Sequence, residues 1–136
     1  MSGEFVDTNV LVYAHDRSAG AKHTASIGLL SQLIEDDAGA LSVQVLTEFY
    51  SAVTKKGHLK PKAAEAVISD LADWTIHQPG HADVLRAIGL QVRYQLQWWD
   101  ALILNSAIQL GCSILWTEDL NDRQKYGSVT ARNPFV

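Results

Sequence analysis

Apolar positions recur along this chain in two rhythms: short apolar runs, and longer stretches where they return every three or four residues. Glu4–Val6 reads as a short buried strand leading into a helix that ends near His15. The stretch from Ala21 to Asp36 carries Ile27, Leu30, Leu33 and Ile34 at helical spacing, which predicts an apolar face built from those four. "GALS" (39–42) reads as a strand entering a helix over about Val43–Lys56, with Ser42 as its N-cap. Pro61 suits the first turn of a helix running to about Trp74. "WTIH" (74–77) has β character and "QPG" (78–80) is a turn. Helices are predicted over about His81–Tyr94 and Trp98–Leu110, with Gly111 ending the second. "CSILW" (112–116) reads as a strand and "GSVTA" (127–131) as a weaker one. Strands separated by helices imply an α/β domain with a mostly parallel sheet, whose ligands bind beyond the carboxyl ends of the strands.

That rule directs attention to the polar residues at strand ends and helix starts. Asp7 directly follows Glu4–Val6, and Glu118 and Asp119 follow 112–116. Asp100 stands in the first turn of "WWDALILNSAIQL", a helix apolar almost all round and therefore expected to be deeply buried. Glu48 borders the stripe made by Val45, Phe49 and Ala52. Each acid alone has an ordinary explanation as a turn former, a cap or a solvated helix residue. Together they place at least three carboxylates at one sheet edge and a fourth beside the core. Carboxylates crowded in a semi-buried cleft repel one another, and either take up protons or bind a cation. All-oxygen ligation suits Mg²⁺ or Mn²⁺, which points to phosphoryl chemistry.

Composition narrows the field. At 136 residues with 47% hydrophobic and 19% charged, the chain is expected to form one domain with a sizeable core. The single cysteine, Cys112, excludes an internal disulfide and fits a reducing compartment. No apolar run approaches the ~18 residues needed to span a bilayer, and no signal peptide is read at the start, so a soluble cytoplasmic protein is expected. The net charge of −4 argues against a nucleic-acid partner. Removing four site carboxylates leaves the remainder formally neutral, and a bound cation would make the cleft accept anions. The five histidines show no close helical pairing, and with no second cysteine zinc ligation is disfavoured. The motifs G-x-S-x-G, G-x-x-x-x-G-K-[ST] and G-x-G-x-x-G are absent. Arg17, Lys22 and "KKGHLKPK" (55–62) could meet phosphates or be plain solvated loop. Trp98 and Trp99 are expected to pack in the core or a dimer interface, with stacking on a base as the other reading.

The set "FVDTNVLVYAHD", "LTEF", "WWDALI" and "LWTEDL" resembles the PIN-domain ribonucleases, and among them the VapC toxins of bacterial toxin–antitoxin pairs. The resemblance implies one PIN-like α/β/α domain over residues 1–136, three layers deep, with a mostly parallel sheet of four to five strands. It makes Asp7 and Asp100 the main catalytic acids and metal ligands, and Glu48 and Asp119 the acids that complete the cluster. Thr8 and Asn9 match the small polar residues supporting the site, and Asp122 is a candidate fifth acid. Glu118 occupies the variable position of T-x-D and receives no catalytic role. The implied activity is Mg²⁺- or Mn²⁺-dependent cleavage of RNA leaving 5′-phosphate and 3′-hydroxyl ends. A homodimer, a cognate antitoxin partner and no membrane association are implied with it. Two competitors remain: another metal-dependent phosphotransfer enzyme such as a phosphatase, and a degenerate domain that only binds RNA or a protein. The first is disfavoured because Asn9 stands where a phosphatase commonly has a second Asp.

Overall fold

A computed structural model describes residues 3–136. Six strands form one sheet: β1 (Glu4–Val6), β2 (Gly39–Ser42), β3 (Thr75–His77), β4 (Ile114–Trp116), β5 (Lys125–Tyr126) and β6 (Val129–Arg132). Their spatial order is β3-β2-β1-β4-β6-β5. Every neighbouring pair is parallel except the hairpin of β5 and β6. The expectation of four to five strands is one short, because Lys125–Tyr126 is too brief to leave an apolar signature of its own. The helices are α1 (Thr8–Ala14), α2 (Ala21–Glu35), α3 (Val43–Lys55), α4 (Pro61–Asp70), α5 (His81–Tyr94) and α6 (Trp98–Gln109). The layers are α/β/α: α1 packs on α2 and α3, and α3 on α4, while α5 packs on α6 and α6 on β2, β4 and β6.

Local chemistry accounts for the helix ends. The Ser42 hydroxyl accepts from Val45 N at 3.3 Å, which caps α3. Gly111 takes φ 71° just past α6, where its N–H and that of Cys112 turn back to the carbonyls of Ile108 and Ala107. The helix predicted to reach Trp74 stops at Asp70 and tightens into a 3₁₀ turn over Leu71–Asp73.

The core is built from Phe5, Val6, Leu11, Leu41, Phe49, Leu104 and Leu115, all fully or almost fully buried. One sequence expectation fails in α2, where Ile27 and Ile34 are exposed. The stripe that faces inward is Ser26, Leu29, Leu30 and Leu33. Each exposed isoleucine follows a residue of that stripe by one position, so the ~100° turn per residue carries it off the interface. Across the sheet, the ring of Trp74 lies against Gly39, where a Cβ would come within 2.6 Å of three ring carbons. Gly39→Ala should therefore destabilise the fold by about 1–3 kcal/mol in a urea titration, since the indole must move out of its packed position.

The sheet also decides where chemistry can happen. From β1 the chain builds outward through β2 and β3 on one side, then crosses to β4 on the other. The reversal falls at the carboxyl ends of β1 and β4, the place where such sheets open a crevice. Among the described residues, no helix is long and apolar enough to cross a membrane.

Candidate metal centre

Asp7 is the first residue beyond β1 and the N-cap of α1. Its extended backbone turns the carboxylate back over the helix start, where Oδ1 accepts from Thr8 N at 2.7 Å. The parallel register pairs Val6 with Trp116, which sets Thr117 beside Asp7. The Thr117 hydroxyl donates to Asp7 Oδ2 at 2.8 Å and accepts from Asp119 N at 3.1 Å. One buried threonine thus holds both acids of adjacent strand ends.

Asp100 comes to the same place from the first turn of α6, where an acid is favoured by the free N–H groups of the helix start. Carboxylate oxygens of Asp7, Asp100 and Asp119 lie within 4.8 Å of one another. They line a cleft of about 260 Å³ together with Thr8, Asn9, Glu48 and Trp99. Glu48 stands beside the trio and outside it, its Oε1 accepting from the Thr8 hydroxyl at 2.9 Å. Asn9 donates to Asp119 Oδ2 at 3.1 Å.

Thr8 and Asn9 are the residues the sequence marks as supporting the site. Both lie in the first turn of α1 and reach outward to Glu48 and Asp119, while Asp7 itself is oriented by Thr117. Nothing singled out Thr117 beyond its place at the head of T-x-D; its role depends on strand register. Asp122 does not line the cleft. Its carboxylate accepts from Asn133 N at 2.8 Å and faces Arg123 and Arg132, so it anchors the C-terminal segment. Glu118 accepts from Tyr13 and Lys22 at 2.6 and 2.8 Å and ties its loop to α1 and α2. Trp99, expected in the core or a dimer interface, is not in the core: it is 62% exposed at the rim.

Electrostatics make the cleft strained without a cation. Burial raises the Asp7 carboxyl to about 7, against the lowering effect of its bonds from Thr117 and Thr8 and with added repulsion from Asp119 and Asp100. Partial burial, then Asp119 and Glu48, raises Asp100 to about 6. Asp119 is raised as well, first by loss of hydration and then by Glu118. Among the described residues no lysine, arginine or histidine forms an ion pair with Asp7, Asp100 or Asp119. The donors are all hard oxygens. Asp7, Asp100 and Asp119 are close enough that each would offer one carboxylate oxygen to a single divalent ion. The residues present therefore fit a divalent metal.

Thr117→Val tests the shared anchor. The hydroxyl lowers the Asp7 pKa, so its loss should raise that value further and move the acid limb of any pH–rate profile to higher pH. A roughly 10- to 100-fold drop in metal affinity or activity should accompany the shift.

A second constellation has a familiar outline and no access. Ser106 Oγ is 2.8 Å from His77 Nδ1, and His77 Nε2 is 3.5 Å from Asp83 Oδ1. Ser106 is fully buried and Asp83 also caps Gly80 N and accepts from Asn105, so the group braces α5 against α6.

The family model described as PIN domain matches residues 5–126. No curated protein sequence matches this chain. Among solved structures, the fold is similar to a toxin–antitoxin complex from Klebsiella pneumoniae, with TM-score 0.69, 20% identity and 98% of each chain covered. It is similar to VapBC2 from Rickettsia felis, bound to a DNA fragment from its promoter, with TM-score 0.67, 19% identity and 96% and 97% covered. A third is VapC20 of Mycobacterium tuberculosis, a toxin that cleaves the sarcin–ricin loop, with TM-score 0.67, 17% identity and 86% and 90% covered.

Proposed function

The chain belongs to the PIN-domain family, and from that premise we propose that it is a divalent-metal-dependent endoribonuclease, the toxin of a VapBC-type toxin–antitoxin pair. The observation that carries the reading is the convergence of Asp7, Asp100 and Asp119 within 4.8 Å at the reversal point of the sheet. Asp7 and Asp100 are the main metal ligands, with Mg²⁺ or Mn²⁺ as the hard cations that an all-carboxylate set selects. Such an ion supplies a water of lowered pKa and neutralises charge on the phosphodiester. Thr117 fixes the Asp7 carboxylate in one orientation, and Asn9 with the Thr117 hydroxyl holds Asp119 against the repulsion of its neighbours. Glu48, set at the rim by the Thr8 hydroxyl, would complete the cluster directly or through water. Hydrolysis at phosphorus then leaves a 5′-phosphate and a 3′-hydroxyl.

Partners follow from the same reading. RNA is the substrate, and a cognate antitoxin is the protein partner, which the similarity to toxin–antitoxin complexes supports. Leu85, Ile88 and Val92 form an exposed apolar face on α5 that a second copy would cover in a homodimer. The phosphatase alternative is weakened further by Asn9, which spends its amide on Asp119 where a second acid would be needed. Purified protein should cleave RNA with Mg²⁺ or Mn²⁺, stop with a chelator, and leave a generic phosphomonoester intact. Phosphomonoester hydrolysis without RNA cleavage would overturn the proposal.

A further inference from the structure

Beside the acid cleft lies a recess of about 620 Å³, and Trp99 is a wall of both. The two spaces differ in kind. The cleft carries four carboxylates, whereas the recess is lined by no acid, lysine or arginine and by one imidazole, that of His81. Val43, Val84 and Leu102 supply apolar surface, and Gln44 and Thr47 supply donors and acceptors. Gln44 links the two, its amide 3.5 Å from both the Trp99 carbonyl and Glu48 Oε1.

We infer that the recess takes a nucleobase flanking the scissile phosphate, with Trp99 stacking on its face. This rests on the ribonuclease reading above. A phosphate drawn to the cation cleft brings a covalently attached base to within one nucleotide. That base is neutral, flat and polar at its edges, so a recess without acids behind an exposed indole, with Gln44, Thr47 and His81 as polar groups, suits it. The volume lies in the ~300–1,000 Å³ range of small-molecule sites. An indole is a stacking surface with little conformational freedom to lose. Trp99 is 62% exposed at the mouth of the cleft and is not among the residues packed on the core, so its ring is open to a stacking partner.

The test uses the full chain and a short RNA with a mapped cleavage site. It compares the intact RNA with versions carrying an abasic ribose at one or the other flanking position. Trp99→Ala should lower kcat/KM on intact RNA by roughly 5- to 150-fold, mainly through KM, with Trp99→Phe recovering part of it. An abasic site at one flank should cost the native protein a comparable factor and leave Trp99→Ala with little more to lose. No loss, an equal loss on all substrates, a fall in kcat alone, or a change in oligomeric mass in sedimentation would each overturn the inference. Should the native protein cleave no RNA, the nuclease reading fails by itself. Quenching of tryptophan fluorescence by the oligonucleotide, present in the native protein and lost in Trp99→Phe, then decides whether the recess binds a base.

Discussion

Asp7→Asn will abolish RNA cleavage and, in the absence of metal, make the protein more stable above neutral pH. The two effects have one cause. Asp7 is almost fully buried and its carboxyl is raised to about 7. A raised carboxyl favours the folded state while protonated. That contribution is intact below the unfolded value near 4, is lost progressively as pH rises, and is gone above about 7. Ionising it in the folded protein at pH 8 therefore costs stability on the order of 4 kcal/mol relative to low pH. Asparagine removes the charge and keeps the shape. Its oxygen can still accept from Thr8 N, and its amide can donate to the Thr117 hydroxyl, which then accepts from both residue 7 and Asp119 N. The expected outcome is a gain of about 1–3 kcal/mol at pH 8, little difference at pH 5, and loss of cleavage by roughly a thousand-fold or more. Denaturant titrations of the metal-free proteins at the two pH values, beside a cleavage assay, check both halves. A variant that is inactive and also less stable at pH 8 would show Asp7 to be a structural cap only.

Divalent cations should stabilise the native protein at high pH by relieving the same repulsion. Mg²⁺ or Mn²⁺ binds the ionised cluster and competes with protons for the same oxygens. At pH 8, with cation at about 100 times its dissociation constant, the folded state gains about 2.7 kcal/mol. For a chain of this size that is an increase in Tm of roughly 10 °C. At pH 5.5 Asp7 and Asp100 are largely protonated, with values of about 7 and about 6, so the increase should shrink severalfold. In Asp7→Asn it should nearly vanish at both pH values. Differential scanning calorimetry with and without metal measures all four cases. An increase in Tm of equal size at the two pH values would place the cation elsewhere on the molecule.

Much of the fold is legible from local pattern because most elements here are decided locally. Glu4–Val6 and Gly39–Ser42 are short apolar runs, Ser42 and Gly111 mark helix ends by their own backbone chemistry, and the run 98–109 is apolar on nearly every side. Elements decided by packing escaped. Lys125–Tyr126 is a strand because Val129–Arg132 lies beside it, and Ile27 and Ile34 are exposed because the opposing surface meets the neighbouring stripe of α2.

The acids divide along the same line. Composition and spacing alone determined that Asp7, Glu48, Asp100 and Asp119 stand at strand ends, at a helix start or beside a buried stripe. Local position dictates that much, and a sheet of this class gathers strand ends at one edge. Only the tertiary structure decided which of them share a centre. Strand register set Thr117 against Asp7, helix rotation held Glu48 at the rim, and the C-terminal segment drew Asp122 to Asn133 N and Arg132. Side-chain partnerships across a hundred residues depend on how layers rotate and slide to bury apolar surface, and no stretch of sequence carries that information by itself.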